Sequence, residues 1–109
     1  MTFEYILTWM ILEGFEDVHD SLMKEWILGI GNNQHLREIR FPPLPLKSPR
    51  KRILIYVFDD VQGWRRFRKE TQEDFKVFLD QWLQFIDLTS FRIFFWRSKG
   101  IHDDLEIKF

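Results

Sequence analysis

The chain has 109 residues, of which 45% are hydrophobic and 30% charged, values that exclude a wholly disordered protein. It contains no cysteine, which excludes disulfides and thiolate chemistry and favours a reducing compartment. A net charge of −1 and a pI near 6.3 argue against the strongly basic balance of a dedicated nucleic-acid binder.

The first part of the chain predicts a strand, a helix and a second strand. Residues 3–12 are rich in aromatic and β-branched side chains, which favours a strand. In residues 15–28 the apolar positions Phe15, Val18, Leu22 and Trp26 recur at helical spacing, and the glycines that follow mark the end of the helix. Residues 36–41 alternate in the manner of a short strand. A helical hairpin over residues 3–28 is the alternative, because apolar runs alone do not separate helix from strand.

The second part begins with a Pro-rich connection at residues 42–50, whose four prolines exclude it from a sheet interior. Residues 51–58 predict a strand, and Asp59 or Asp60 is expected to cap a helix over residues 61–88. Thr71 with Asp74 resembles a second capping signal, which favours a break near Glu70. Residues 91–96 predict a fourth strand, and residues 105–109 a short terminal strand.

The resulting order, β-α-β-β-α-β plus a short C-terminal strand, predicts an α+β fold of the ferredoxin-like split βαβ type. We expect a single domain over residues 1–109, with two helices on one face of an antiparallel sheet. The first and fourth predicted strands are apolar on both faces, so the face without helices should also be covered. The Pro-rich connection or C-terminal segment, a symmetric homodimer, and a ligand or partner platform are the alternatives.

The main functional hypothesis is a non-enzymatic interaction or regulatory module that binds a protein partner through this aromatic sheet face and forms a homodimer. The predicted aromatic anchors are Tyr5, Trp9, Phe94 and Trp96. No nucleotide-binding loop, Ser-His-Asp set or metal-binding histidine spacing appears, so we expect no enzyme activity, cofactor or metal site.

The expected compartment is the cytoplasm, or the nucleus if the chain comes from a eukaryote or a virus. Residues 5–12 are too short to span a bilayer, which needs about 20 residues. The first residues lack the basic segment of a secretory signal. We therefore expect no membrane partner.

Nucleic-acid binding is the alternative hypothesis, because residues 47–69 hold eight of the sixteen basic residues and two of the seventeen acids. The candidate residues are Arg50, Lys51, Arg52, Arg65, Arg66 and Lys69. They fall at opposite ends of a predicted strand and so form a stripe at best. A small hydrolase is the third hypothesis, with Asp59 and Asp60 as paired carboxylates, although a helix cap explains the same residues.

The Pro-rich connection also contains a short Pro-x-x-Pro-x-Lys pattern, formed by Pro42, Pro45 and Lys47. Such segments adopt a polyproline II helix and dock into aromatic grooves. A rigid surface connection explains the same residues and is the favoured interpretation.

Overall fold

The computed structural model describes residues 2–42, 48–98 and 104–108, and it arranges them as a five-stranded sheet with two helices. The elements are β1 (Thr2–Ile11), α1 (Glu16–Ile30), β2 (Leu36–Arg40), β3 (Lys51–Phe58), α2 (Val61–Trp82), β4 (Ile86–Ser98) and β5 (Asp104–Lys108). The strand order is β2-β3-β1-β4-β5, and every neighbouring pair is antiparallel. This is the ferredoxin-like split βαβ arrangement with β5 added beside β4, so the predicted fold class is confirmed.

The central strand is β1, which pairs with β3 on one side and β4 on the other. The alternative of a helical hairpin over residues 3–28 is therefore wrong. Residues that pair across an antiparallel ladder share a face. The odd-numbered residues of β1, such as Phe3 and Leu7, are buried on the face that the helices cover. Ile6 lies on the other face together with its partners Ile55 and Phe94.

α1 buries only part of the predicted stripe: Trp26 is buried as expected, and Leu22 packs against the core. Phe15 and Val18 were expected to face the core, but they are 41% and 47% exposed. The buried residues are instead His19, Met23, Trp26 and Ile30, which also recur at helical spacing. Phe15 and Val18 were wrongly predicted because only apolar residues were counted, and the core position at 19 is occupied by a histidine.

α2 begins as predicted, with the Asp60 carboxylate accepting a hydrogen bond from the Gly63 backbone N–H at 2.9 Å. The predicted break near Glu70 is wrong. Thr71 is buried, and its hydroxyl donates to the Phe67 carbonyl at 2.9 Å, so it lies inside the helix and caps nothing.

The predicted end of this helix, at residue 88, is also wrong. α2 ends at Trp82, and β4 begins at Ile86, which pairs with Ile11 of β1. The apolar residues after Trp82 continue the helical spacing by chance, whereas backbone pairing with β1 makes them strand. Within the described residues, neither helix is both long and apolar enough to cross a membrane.

Candidate active site

A cavity of about 400 Å³ lies between the helix-covered face of the sheet and α2. Its size falls in the range of small-molecule sites. The sheet contributes Tyr5 and Leu7 of β1 and Tyr56 of β3, and α1 contributes Trp26. Seven residues of α2 complete the lining: Arg65, Phe67, Arg68, Lys69, Thr71, Gln72 and Phe75. Five of these side chains are aromatic, so the walls suit a flat apolar molecule.

The inner end of the cavity is a buried tyrosine held by a tryptophan. The Trp26 indole N–H donates to the Tyr56 hydroxyl oxygen at 2.8 Å. Among the described residues no acceptor for the Tyr56 hydroxyl proton is present, so the hydroxyl can donate to a ligand. Burial raises the pKa of Tyr56 well above its ordinary value, although the Trp26 hydrogen bond acts in the opposite direction. Tyr56 is therefore a neutral hydrogen-bond donor at physiological pH.

Tyr5 lies beside Tyr56 because the two residues are direct partners in the β1–β3 ladder. Their ring centroids are 5.7 Å apart. Burial raises the pKa of Tyr5, and the nearby Arg68 guanidinium offsets part of this effect. The cavity thus holds two neutral phenols side by side.

The outer edge of the cavity is basic. Arg65, Arg68 and Lys69 are spaced by three and four residues along α2, so they share one side of the helix. The Arg68 guanidinium lies over the Trp64 ring, 5.0 Å from its centroid. No Asp or Glu occurs among the described residues that line the cavity.

A second polar cluster lies deeper under the helices, around His19, which has no exposed surface. The indole N–H groups of Trp9 and Trp82 both donate to His19 Nε2, at 2.9 and 3.0 Å. His19 Nδ1 then carries the proton and donates to Asp20 Oδ1 at 3.0 Å. Burial lowers the pKa of His19, more than the Asp20 carboxylate raises it. His19 is therefore a neutral imidazole with every nitrogen engaged.

Asp20 joins this cluster to the sheet through Arg52, whose guanidinium binds both carboxylate oxygens at 3.0 and 2.9 Å. Burial alone would raise the pKa of Asp20. The hydrogen bonds from Arg52 and His19 outweigh burial and hold the pKa below its ordinary value. None of the sequence patterns above predicted this cluster, although the helical spacing of His19, Met23 and Trp26 was a signal for a buried histidine.

The four predicted interface anchors fall on two different faces. Trp9 is 1% exposed and Tyr5 lines the cavity, so both lie under the helices. Phe94 and Trp96 lie on the opposite face, paired with Ile6 and Glu4. The four residues cannot form one surface. The homodimer therefore depends on the face without helices, and it stays a prediction.

The predicted nucleic-acid residues also separate. Arg52 is bound to Asp20, and Arg50 donates to the Ile11 carbonyl at 3.4 Å. Lys51 is exposed at the start of β3. Arg65 and Lys69 line the cavity on α2, whereas Arg66 borders a separate polar depression beside His35. The candidates thus fall into two groups, one at the start of β3 and one on α2.

The remaining predicted sites are simpler. Asp60 caps α2 and Asp59 pairs with Arg37 at 3.0 Å, so structural contacts account for both carboxylates. Pro42 follows β2, while Pro45 and Lys47 lie outside the described residues. No group of three or more candidate metal ligands occurs in the part of the chain that the structure describes.

No protein-family model matches the sequence. No curated protein matches it either. Solved structures nevertheless share the fold over most of the chain. SnoaB, a cofactor-independent oxygenase from Streptomyces nogalater, matches with a TM-score of 0.75 at 9% identity, over 93% of this chain and 96% of SnoaB.

Two further structures extend this comparison. A protein assigned as an antibiotic biosynthesis monooxygenase from Bordetella bronchiseptica matches with a TM-score of 0.72 at 11% identity, over 92% of this chain and 98% of its own. A NIPSNAP family protein from Agrobacterium tumefaciens matches with a TM-score of 0.73 at 12% identity, over 93% and 96%. At these identities the likeness shows the fold.

These findings correct the functional hypotheses drawn from the sequence. The prediction of a non-enzymatic interaction module, and with it the prediction that the chain is not an enzyme, is wrong. Structures of the same fold are named oxygenases, and the aromatic side chains assigned to a partner surface lie on both faces of the sheet. The contacts of Arg50, Arg52, Asp59 and Asp60 give no support to the nucleic-acid and hydrolase alternatives, which stay predictions.

Proposed function

We propose that the chain is a small oxygenase that binds an aromatic substrate in the cavity under α2 and oxidises it with O2. Two observations support this. The fold is shared with SnoaB, which is named a cofactor-independent oxygenase. The cavity combines aromatic walls with the paired phenols of Tyr5 and Tyr56. Within the cavity, the proposal depends most on the Trp26–Tyr56 hydrogen bond, which leaves the Tyr56 hydroxyl proton to donate to a ligand.

An oxygenase that uses no cofactor must take its electrons from the substrate. A methylene group between two aromatic rings can supply them, because loss of one C–H proton leaves a carbanion that is delocalised onto a ring oxygen. The carbanion gives up electrons to O2, a carbon–oxygen bond forms and the oxygen–oxygen bond breaks. The methylene carbon becomes a carbonyl, and one oxygen atom enters the product. The other oxygen atom leaves as water, which takes up the two protons lost from the methylene group. The carbon loses the four electrons that reduce O2.

The side chains of this chain have defined tasks in that reaction. Tyr56 and Tyr5 are neutral donors whose hydroxyls can stabilise the negative charge that develops on the substrate oxygen. Trp26 fixes the direction of the Tyr56 hydroxyl before the substrate arrives. The ring walls exclude water, which strengthens these hydrogen bonds.

The test uses anthrone, a model compound with such a methylene, and measures O2 uptake and quinone absorbance. We expect turnover by the native protein and a fall in kcat of about 100-fold in Tyr56→Phe, as for the loss of one oxyanion donor. The matched control is Val77→Ala on the exposed side of α2, which should keep native turnover. Absence of catalysed O2 uptake across a series of anthrones, or full activity in Tyr56→Phe, would contradict the proposal.

A further inference from the structure

The cavity is bordered by cations that have no acidic partner. Four other described Lys and Arg side chains pair with a carboxylate, such as Arg37 with Asp59 and Lys76 with Glu73. Arg65, Arg68 and Lys69 make no ion pair with any described residue. Three cations thus border one concave space whose described lining contains no acid. Low-dielectric walls focus such a field into the cavity.

The position of these cations is set by the helix. Phe67, Thr71 and Phe78 form the buried side of α2, which packs on the sheet. The cations occupy the adjacent side, so their charges lie at the opening while the rings lie inside. Arg68 is further restrained by its stacking on Trp64, 5.0 Å from the ring centroid. A restrained guanidinium loses less freedom on binding a ligand than a freely moving one.

The polar groups inside the cavity are suited to the same kind of ligand. The Tyr56 hydroxyl offers a proton, since its oxygen already accepts from Trp26. Thr71 is different, because its hydroxyl proton is used by the Phe67 carbonyl. The described lining therefore presents cations and phenol donors but no carboxylate to oppose an anion.

We infer that the substrate is an aromatic anion, whose rings lie among Tyr5, Trp26 and Phe75 and whose charged oxygen faces Arg68 and its neighbours Arg65 and Lys69. The inference rests on the proposed function for the identity of the site as a substrate site. A volume of about 400 Å³ admits a fused-ring compound with one such group. The charge can come from a carboxylate or from an ionised phenol, which share the oxygen anion that a guanidinium recognises.

The test is a titration of the full chain with naphthoate, naphthamide and naphthol, followed by tryptophan fluorescence. Trp26 and Trp64 lie in or beside the cavity and report binding. We expect naphthoate to bind about tenfold or more tightly than its neutral isostere naphthamide, because of charge-assisted hydrogen bonds. The difference should shrink with added salt. Tight naphthol binding that appears only at high pH would identify the phenolate as the preferred source of charge.

Arg68→Gln is expected to lose about tenfold in naphthoate affinity and to leave naphthamide affinity unchanged. Arg66→Gln is the matched control, since Arg66 is on the same helix and equally basic but does not line the cavity. Equal affinities for naphthoate and naphthamide, or equal losses in the two variants, would overturn the inference. Anion binding without any O2 uptake would overturn the oxygenase proposal alone. O2 uptake with neutral substrates only would overturn the inference of an anionic substrate and leave the oxygenase proposal standing.

Discussion

Two clusters under the helices use the same hydrogen-bond donor, a tryptophan indole N–H. They differ in whether the remaining hydrogen-bonding group of the acceptor side chain has a partner. At the cavity, Trp26 donates to Tyr56, whose own proton has no acceptor among the described residues. Around His19, two indoles share one nitrogen and Asp20 binds the other. A saturated buried group contributes to stability, whereas an unsatisfied donor facing an accessible space is available to a ligand. From this difference we infer that the His19 cluster stabilises the fold and that the cavity binds the ligand.

Replacement of His19 should have the largest effect, and it tests whether the His19 cluster stabilises the core. His19→Leu leaves the Trp9 and Trp82 N–H groups without an acceptor in the core. Two buried unsatisfied donors at about 1–3 kcal/mol each predict a loss of roughly 2–6 kcal/mol in the free energy of unfolding. Urea unfolding measures it, with His35→Leu as the control on an exposed contact to Glu70. A loss below about 1 kcal/mol would show that the cluster does not hold the core.

Removal of one indole N–H from each cluster tests whether the two clusters have separate roles. Trp26→Phe and Trp82→Phe delete the same N–H group, and each should lower the free energy of unfolding by about 1–2 kcal/mol. Only Trp26→Phe should also weaken ligand binding and O2 uptake, because Tyr56 then loses the donor that directs its hydroxyl. Equal effects of both variants on activity would mean that the clusters do not have separate roles.

The pH dependence of stability gives the smallest effect. The folded state lowers the pKa of His19 below its ordinary value of about 6.5, so the unfolded chain takes up a proton first as the pH falls. This contribution to stability is complete above pH 6.5 and is lost progressively below it. The urea midpoint should therefore fall between pH 7 and pH 5.5, and His19→Gln should reduce that fall. An unchanged slope in His19→Gln would assign the pH dependence to other groups.

The sequence predicted the element order because β1 and β3 are rich in aromatic and β-branched residues, while both helices carry apolar residues at helical spacing. It predicted the buried stripe of α1 only in part, since a buried histidine depends on Trp9 and Trp82, 10 and 63 residues away in the chain. The end of α2 was missed for a similar reason, because only pairing with β1 identifies the following residues as strand.

The candidate site could not be predicted from the sequence, because it depends on the register of strand pairing. Tyr5 meets Tyr56 only because of the β1–β3 pairing, and an apolar strand does not reveal from its own pattern which face is covered. The cations Arg65 and Lys69 were singled out from the sequence as partners of an anion. They lie beside a cavity lined by aromatic rings and not along a stripe with Arg50 and Arg52. The anion we expect is therefore a small aromatic molecule and not a nucleic acid.

The unbroken length of α2 has a mechanical consequence. A helix of 22 residues is a stiff rod of about 33 Å. Its far end is clamped, because the last residue, Trp82, is fixed to His19. The roof over the cavity therefore does not fold open in the middle, which limits the thickness of any molecule admitted beneath it.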